Sequence, residues 1–433
     1  MRYDGAAPLV LLLQGPVGPF FDHLARALRC EGFQVQSVGF NWGDWIFRRR
    51  SLTSLAESEL ASWRKRLVEI CGAARPSFIV MYGDGRPMHE AARSVAEPLG
   101  IPIFCFEEGY IRPDFVTFEI GGNNANSRIS RNPESFPPAG APPERSPIRS
   151  AFWPLAAYAI LYEIFRKAGR TFRGGESHHR SRSLILEAVD WIVAACRKVG
   201  HAPFDQRELK RLQGKSPHFV LALQVRDDLQ VIKHGRGWTP RNLIEATIRS
   251  FALLAPSDAH LIVKSHPLDC GLRGYGGLVD LSARRLGVRN RVHLHYTGSA
   301  PDILRCASGL VTINSTMAIG ALKRGCPVFA FGDALFHIPG LAHGGHDLVD
   351  LDAFWRAPKP VNADLFDRFV YDLLVRTQIN GSFYLPRHYP GMVAQIVARL
   401  RERRLRPESR EPEFERAPEV VAASNAHIRL VAS

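Results

Sequence analysis

The 433-residue chain has few cysteines and no long apolar run. Its seven cysteines are an odd number and none forms a CxxC pair, which argues against a disulfide framework and against a zinc site. No stretch reaches the roughly 18 apolar residues that a membrane span needs, and the apolar run at 9–13 is too short for a secretion signal. We therefore expect a cytoplasmic protein in a reducing compartment.

The common signatures of nucleotide and nucleic-acid binding are also missing. The chain contains neither GxGxxG nor GxxxxGKS/T, so it has no dinucleotide fingerprint and no P-loop. It has no zinc-finger, helix-turn-helix or RNP signature, so nucleic acid is not an expected partner. Asp350 and Asp352 have DxD spacing, but they begin a helical pattern in which acidic residues cap the helix. No metal is expected.

Acidic residues are fewer than basic ones. The chain has 42 Asp and Glu against 56 Lys and Arg, a formal net charge of +14. Hydrophobic residues make up 45% of the chain, which is enough to bury a full core. The excess of positive charge favours anionic partners, such as an anionic membrane surface or phosphorylated substrates.

Short apolar runs alternate with helical patterns in two parts of the chain. The expected strands lie at 9–14, 33–40, 77–82, 101–106, 218–224, 260–264, 292–296, 309–313 and 327–331. This alternation is typical of parallel sheets with helices on both faces. Between the two parts, Gly, Asn, Ser and Pro dominate 121–150, which we interpret as loop or linker.

We therefore expect an α/β fold with two Rossmann-like lobes and a cleft between them. The expected regions are an N-terminal lobe at 1–150, a helical and basic connection at 151–213, a C-terminal lobe at 214–390 and a charged tail at 391–433. In such folds the ligand binds at the carboxyl ends of the strands. Candidate functional residues are accordingly sought where the expected strands end.

Two adjacent carboxylates, Glu107 and Glu108, follow one such strand, and Arg112 comes shortly afterwards. A carboxylate at a strand end can act as a nucleophile or base, with a cation as its electrostatic partner. Side chains alternate along a strand, so only one of the two is expected to face the cleft. A solvated loop with an Arg–Glu pair is the competing interpretation.

Lys264, His266 and Pro267 follow a strand of the second lobe. Proline favours an extended conformation for the residue before it. An imidazole can donate to a phosphate or act as a general acid, and a lysine can neutralise negative charge. A purely structural histidine is the competing interpretation.

Asn314, Ser315 and Thr316 stand between a strand and a helical pattern. Such residues are preferred helix N-caps. The free N–H groups and hydroxyls of a helix start can also hold a phosphate or a carboxylate. The two interpretations are compatible.

Three further candidates have weaker signals. Gln224 ends the first strand of the second lobe, where it meets either a ligand or solvent. Gly15 and Gly18 follow the first strand of the chain and are candidates for a loop near the acceptor. A tight turn alone would also explain both glycines.

Five stretches, in one order, resemble the capsule polysaccharide biosynthesis family, and within it the single-module β-Kdo transferases that start the lipid linker of Gram-negative capsules. They are LLLQGPVGPFF at 11–21, FNWGDW at 40–45, EEGYIRPDFVTFE at 107–119, KSHP at 264–267 and INSTMAIGAL at 313–322. Each stretch is weak alone, and their shared order makes the resemblance specific.

The resemblance implies a GT-B fold and a retaining glycosyltransferase that moves Kdo from CMP-β-Kdo to a phosphatidylglycerol-type glycolipid. It also implies a site at the inner-membrane surface, contact with other capsule assembly proteins, and no cofactor. Glu108 corresponds to the family's candidate nucleophile, where related modules carry Asp, and Glu107 would orient it.

The resemblance also assigns the donor side. His266 and Pro267 would meet the cytidylate phosphate, and Ser315 and Thr316 would hold phosphate or the sugar carboxylate. The remaining residues expected on the donor side are Arg112, Lys264, Asn314 and Gln224.

The aromatic and basic segment 153–173 is the expected membrane-facing surface, with Arg166, Lys167, Arg170 and Arg173 providing its charge. A packed helix with a solvated basic end is the competing interpretation.

Two other functions remain alternatives. One is a different GT-B enzyme, such as a nucleotide-sugar epimerase, which would release an epimer or a free sugar. The other is a non-catalytic capsule assembly or export factor, which would bind glycan or lipid without turnover.

Overall fold

A computed structural model describes residues 7–56, 59–148, 150–173, 184–214, 216–266, 274–345 and 348–405. The described chain forms two α/β lobes, each built on its own sheet. The expected α/β, GT-B-like class is confirmed. It follows from strand residues such as 10–12 and 78–81, whose apolar side chains are buried on both faces of the sheet.

The N-terminal lobe begins with alternating strands and helices, as predicted. Its elements are β1 (Leu9–Leu12), α1 (Phe20–Cys30), β2 (Gln34–Gly39), α2 (Trp42–Arg48), β3 (Ser54–Leu55), α3 (Leu60–Ala74), β4 (Phe78–Tyr82), α4 (Pro87–Ala96), β5 (Ile103–Glu108) and β6 (Phe115–Ile120). Strands β1 to β5 pair in parallel. β6 follows a short connection, so it runs antiparallel to β5 and places Val116 opposite Glu108.

Two long helices connect the lobes. α5 (Phe152–Arg173) packs on the N-terminal lobe, where the Tyr162 hydroxyl accepts hydrogen bonds from Gln14 and Asn41. α6 (Leu184–Leu212) packs on the C-terminal lobe, where Asp205 accepts from the backbone N–H groups of Tyr296 and Thr297. Each helix therefore belongs structurally to the lobe that it contacts.

The C-terminal lobe repeats the alternation. Its elements are β7 (His218–Ala222), α7 (Leu229–His234), α8 (Pro240–Leu254), β8 (His260–Lys264), α9 (Gly276–Arg285), β9 (Val292–His295), α10 (Ala300–Ile303), β10 (Gly309–Thr312), α11 (Met317–Leu322), β11 (Val328–Ala330), β12 (His343–Gly344), α12 (Leu348–Arg356) and α13 (Ala363–Arg376). The strands are parallel in the order β12-β11-β10-β7-β8-β9. Thr239 and Asn242 form a capping box that fixes the start of α8.

The chain then returns to the N-terminal lobe. β13 (Gln378–Asn380) pairs antiparallel with β6, which completes the sheet order β13-β6-β5-β4-β1-β2-β3. α14 (Tyr389–Leu405) buries Met392, Ile396 and Leu400 in the core of that lobe. The expected boundary at 390 therefore differs from the structure, because apolar residues at helical spacing hold α14 against the first sheet. The residues of the expected tail beyond 405 lie outside the described ranges.

The lobes touch beneath the cleft through the segment that was interpreted as loop or linker. Asn123 and Ser127 are fully buried in it. The Asn124 side chain donates to the backbone carbonyl of Asn314 (3.4 Å) and accepts from the backbone N–H of Leu335 (3.3 Å). This part of 121–150 is thus a packed interface, and its buried amides find partners in both lobes.

Candidate active site

The carboxyl ends of the strands of both lobes open into one cavity of about 1100 Å³. Its walls include Glu107, Glu108, Tyr110, Arg112, Asn123, Asn124, Gln224, Lys264, His266, Asn314, Ser315 and Thr316. Residues predicted from separate motifs thus face a common space. Pro267, the remaining donor-side candidate, lies outside the described residues.

Glu108, at the end of β5, is half-buried and contacts two tyrosines. The Tyr384 hydroxyl donates to its Oε1 (2.6 Å), and the Tyr82 hydroxyl lies 3.4 Å from the same oxygen. Burial and the neighbouring Glu108 carboxylate raise the pKa of Tyr384 well above its usual value, so the phenol stays protonated. The two hydroxyl groups fix the orientation of the Glu108 carboxyl group.

Glu107 occupies a different environment on the other face of the sheet. Its Oε1 accepts from the backbone N–H of Glu108 (3.1 Å). Burial raises the pKa of Glu107 to about 7, and the negative charge of Glu108 adds to the rise. Both glutamates line the cavity, so the expectation that only one would face it is wrong. Their side chains alternate as expected, but β5 ends at the cavity edge, where both faces of the strand are accessible.

A buried polar network lies behind the two glutamates. Glu119 on β6 accepts from the side chains of Tyr110, Asn123 and Ser127. Burial raises the pKa of Glu119 to about 7 despite these three donors. The network ties β6 to the 121–131 segment and so positions the floor of the cavity.

Lys264 and His266 enter the cavity from the end of β8. The Lys264 ammonium is buried and donates to the backbone carbonyls of Ser265 (3.1 Å) and Tyr296 (3.3 Å). His266 is half-buried, directly before residues outside the described ranges. This wall of the cavity therefore has a cation and an imidazole, both suited to an anionic ligand.

Gln224 and Asn314 bind each other across the ends of β7 and β10. Gln224 Nε2 donates to Asn314 Oδ1 (2.8 Å), and the backbone N–H of Asn314 donates to Gln224 Oε1 (3.0 Å). Asn314 Nδ2 also donates to the backbone carbonyl of Gln230 (2.9 Å). The pair is nearly fully buried, so its contacts shape the wall of the cavity and hold the loop that follows β10.

Ser315 and Thr316 form that loop and are half-buried beside the cavity. α11 begins at Met317, and the backbone N–H of Met317 donates to the Ser315 hydroxyl (3.3 Å). Thr316 occupies the N-cap position without a side-chain capping bond. The capping interpretation therefore fits Ser315, and the Thr316 hydroxyl lies at the cavity wall.

Arg112 is exposed at the rim, where its Nε donates to the backbone carbonyl of Gly109 (3.1 Å). Asp114, two residues later, is buried and turned away from the cavity. It accepts from the backbone N–H of Ile148 (2.8 Å) and from Arg145 (3.1 Å). Asp114 therefore anchors the segment before α5 and does not line the cavity, whereas Glu107 and Glu108 do.

The structure does not bring Gly15 and Gly18 to the cavity wall. A Cβ on Gly15 would lie 2.5 Å from the Phe21 ring. Gly18 has a φ of +104°, and a Cβ there would lie 2.7 Å from the Tyr158 ring. Close packing and left-handed backbone explain both glycines.

The expected membrane-facing segment on α5 divides into buried and exposed residues. Tyr162 and Arg166 are buried, and Arg166 pairs with Glu163 (2.8 Å). Trp153 and Leu161 are exposed. Arg166 therefore contributes nothing to a surface charge, and the side chains of Arg170 and Arg173 lie outside those that the structure describes.

Sequence reasoning missed the residues that complete the site. Tyr384 reaches Glu108 from 276 positions along the chain, and no motif around it signals this contact. Asn123 and Asn124 lie in a Gly- and Asn-rich stretch that resembles a solvated loop. A run of amides directly after an apolar strand was the only available signal.

No helix within the described ranges has the length and apolar character needed to cross a bilayer.

Known proteins resemble the chain over most of its length. The capsule polysaccharide export protein KpsS of Escherichia coli is 33% identical over 381 residues, which cover 86% of this chain and 96% of KpsS. The capsule polysaccharide modification protein LipB of Neisseria meningitidis is 32% identical over 400 residues, which cover 89% of this chain and 94% of LipB. Among solved structures, the β-Kdo 2,7 transferase of Thermosulfurimonas dismutans KpsC is 13% identical, with a TM-score of 0.41, and the match covers 89% of this chain and 98% of that one.

The family model described as "Capsule polysaccharide biosynthesis protein" matches residues 77–384. That range includes the Glu107–Glu108 pair, the opposite wall of the cavity and Tyr384, which binds Glu108. With two relatives above 30% identity over nearly their full length, this chain belongs to the capsule polysaccharide biosynthesis family.

Proposed function

We propose that the protein is a retaining glycosyltransferase that moves Kdo from CMP-β-Kdo to a phosphatidylglycerol-type lipid in capsule biosynthesis, at the cytoplasmic surface of the inner membrane. The observation that carries this proposal is the Glu107–Glu108 pair, which lines the same cavity as Lys264 and His266 of the opposite lobe. The choice of donor and acceptor rests on the resemblance of the five sequence stretches, together with membership of the capsule family.

In the proposed first step, the Glu108 carboxylate attacks the anomeric carbon of Kdo. A bond forms between a Glu108 oxygen and that carbon, and the bond from the carbon to the phosphate oxygen breaks, so CMP leaves with the electron pair. Tyr384 and Tyr82 hold Oε1 of Glu108, which leaves Oε2 as the attacking atom.

In the second step, a hydroxyl of the acceptor attacks the same carbon from the side that CMP has left. Its proton passes to Glu107, and Glu108 departs as a carboxylate, so two inversions give net retention. A carboxyl whose pKa is about 7 exchanges a proton readily at neutral pH, which suits Glu107 to this task.

The opposite wall supplies groups for the leaving nucleotide. CMP-Kdo carries a phosphate and a sugar carboxylate, and both are anions. Lys264, His266 and the Ser315 and Thr316 hydroxyls line that side of the cavity. Positioned donors and cations of this kind stabilise negative charge as it develops on a leaving group.

The experiment is a turnover assay with the purified full chain. CMP-β-Kdo, generated in situ, is combined with a fluorescent, detergent-soluble lysophosphatidylglycerol, with and without EDTA. Mass spectrometry records acceptor that has gained one Kdo. We expect product that survives EDTA, and we expect Glu108→Gln to lower its rate by about 10³-fold or more because the covalent route is lost.

Glu134→Gln is the matched control, because Glu134 is an exposed carboxylate of the same lobe outside the cavity lining. Its rate should equal that of the wild type. Unchanged transfer by Glu108→Gln would assign the nucleophile elsewhere. No transfer by the wild type, beside a working control enzyme, would contradict the proposed donor and acceptor.

A further inference from the structure

Helix α5 has two apolar faces, and only one of them is covered. On the inner face, Tyr162 lies against Gly43 of α2, and Gly169 lies against the Trp42 ring. The outer face exposes large apolar side chains within 152–164. These are Phe152, Trp153, Ile160, Leu161 and Ile164, with 79% of Trp153 and 63% of Ile160 accessible. Single exposed apolar residues are ordinary, but a cluster of this kind on one helix marks an interaction surface.

The neighbouring helix α2, which packs against α5, also exposes an aromatic ring and lies next to exposed cations. Trp45 of α2 is 40% exposed, and Arg49 and Arg50, directly after the helix, are also exposed. The one acidic residue in 150–169 is Glu163, which pairs with Arg166. We define the outer α5 face as Trp153, Ile160, Leu161 and Ile164, and we consider with it Trp45, Arg49 and Arg50, the exposed aromatic and basic residues of the adjacent segment. It combines apolar and aromatic side chains with cations.

The inner side of the same helix connects to the candidate nucleophile. The Tyr162 hydroxyl accepts from Gln14 (2.8 Å), and Gln14 Oε1 accepts from Arg86. The Arg86 guanidinium lies over the Tyr82 ring (5.4 Å), and the Tyr82 hydroxyl meets Glu108. Only the width of α5 and this short series of contacts therefore separate Glu108 from anything that binds the outer α5 face.

We propose that the outer α5 face docks on the surface of an anionic lipid bilayer. Aliphatic and Trp side chains enter the boundary between headgroups and acyl chains, while arginines pair with anionic headgroups. The net charge of +14 favours the same partner. This inference deepens the proposed function, since the choice of a lipid surface rests on a lipid-linked acceptor.

The test measures vesicle binding without any substrate. The full chain is sedimented with sucrose-loaded vesicles of phosphatidylcholine alone, or of phosphatidylcholine with phosphatidylglycerol. We expect binding to the anionic vesicles, weaker binding to neutral ones, and a loss of affinity as salt screens the arginines. A triple variant, Trp153→Ser with Ile160→Ser and Ile164→Ser, should lower the partition coefficient by about tenfold or more.

Two further variants are compared in the same vesicle assay. One tests the contribution of positive charge, and the other tests whether loss of exposed apolar side chains elsewhere on the surface also changes binding. Arg49→Glu with Arg50→Glu should lower binding to anionic vesicles by about tenfold and leave the weak binding to neutral vesicles unchanged. Leu253→Ser with Val349→Ser removes two equally exposed apolar side chains of the other lobe and should bind as the wild type does. Circular dichroism and transfer to the soluble acceptor check that each variant is folded.

Wild-type affinity in the triple variant would overturn the proposal, as would failure of the wild type to bind any vesicle. Sedimentation velocity tests whether a second copy of the chain, and not a bilayer, covers the outer α5 face. If the triple variant converts a dimer to a monomer while vesicle binding persists, a second copy of the chain covers this face instead. Vesicle binding without sugar transfer would contradict the proposed function and leave the docking surface intact.

Discussion

Glu107 and Glu108 are adjacent in the chain, but they meet different groups. Glu108 receives the hydroxyl of Tyr384, whereas burial raises the pKa of Glu107 to about 7. The difference arises because successive side chains of β5 point to opposite faces of the sheet. The hydroxyls of Tyr82 and Tyr384 contact Glu108, whereas the charges of Asp84 and Arg86 act on Glu107. The different surroundings suit the two glutamates to the separate roles proposed for them, Glu108 as nucleophile and Glu107 as base.

The contact of Tyr384 with Glu108 predicts a specific kinetic effect. Tyr384→Phe removes a hydroxyl that donates to a carboxylate, and such a bond contributes about 1.5–3 kcal/mol. We expect kcat for sugar transfer to fall about tenfold or more, with little change in KM for the donor. Steady-state kinetics with the soluble acceptor measure both constants.

Tyr389→Phe is the control for the loss of a buried phenol hydroxyl. Tyr389 lies in the same returning segment, but its hydroxyl donates to the backbone carbonyl of Phe383 (2.6 Å). It should lower stability without a comparable fall in kcat. Equal kinetic effects of the two variants would show that Tyr384 acts only through packing.

At the scale of elements, β13 and α14 complete the N-terminal lobe from the far end of the chain. β13 adds an edge strand beside β6, and Arg399 of α14 donates to the backbone carbonyls of Phe118 and Gln378. Tyr384 lies between these two elements. The position of Tyr384 therefore depends on the packing of α14 against the N-terminal lobe.

Ile396→Ala tests this dependence. Ile396 is fully buried in the core of the N-terminal lobe, so the truncation removes apolar contacts and leaves a cavity. We expect the free energy of unfolding to fall by about 2–5 kcal/mol. Chemical denaturation measures this loss, and Gln395→Ala, at an exposed neighbour, should stay within about 0.5 kcal/mol of the wild type. A loss below that limit for Ile396→Ala would contradict the packing of α14.

At the scale of the whole molecule, the lobes contact each other through buried apolar residues, such as Phe136 against Phe369, and through polar groups. Asn124 bonds to the loop before Ser315 and to Leu335. Lys233 of α7 pairs with Glu90 and donates to the backbone carbonyl of Gly85. Together, these contacts hold the two sets of strand ends face to face across the cavity. We expect their loss to favour a more open arrangement.

Asn124→Gly isolates the contribution of the Asn124 side chain. Asn124 has a φ of +50°, which glycine adopts without strain, so the variant removes the inter-lobe bonds and keeps the backbone. We expect KM for the proposed donor to rise about fivefold to tenfold, as loss of about 1 kcal/mol of closure free energy predicts. Small-angle X-ray scattering should show a larger radius of gyration. Asn132→Gly is the control, since the Asn132 side chain bonds within one lobe.

Elements whose signals are local were predicted with nearly correct bounds. β8 begins and ends at the predicted residues, because a short apolar run defines it without help from distant residues. β6 and β13 were not predicted. β13 has three residues, and it is a strand only because β6 pairs with it. Short edge strands of this kind depend on a partner for their definition.

The sequence by itself determined the α/β class, the two lobes and the strand ends at which Glu108, His266 and Thr316 lie, because hydrophobic periodicity is a local property of the chain. Only the tertiary structure decided that both glutamates line the cavity, that Tyr384 binds Glu108, and that α14 returns to the first lobe. These outcomes depend on which surfaces meet when two sheets and their helices bury apolar area together. The free energy of that burial comes from contacts between residues hundreds of positions apart, so a local sequence pattern cannot predict these outcomes.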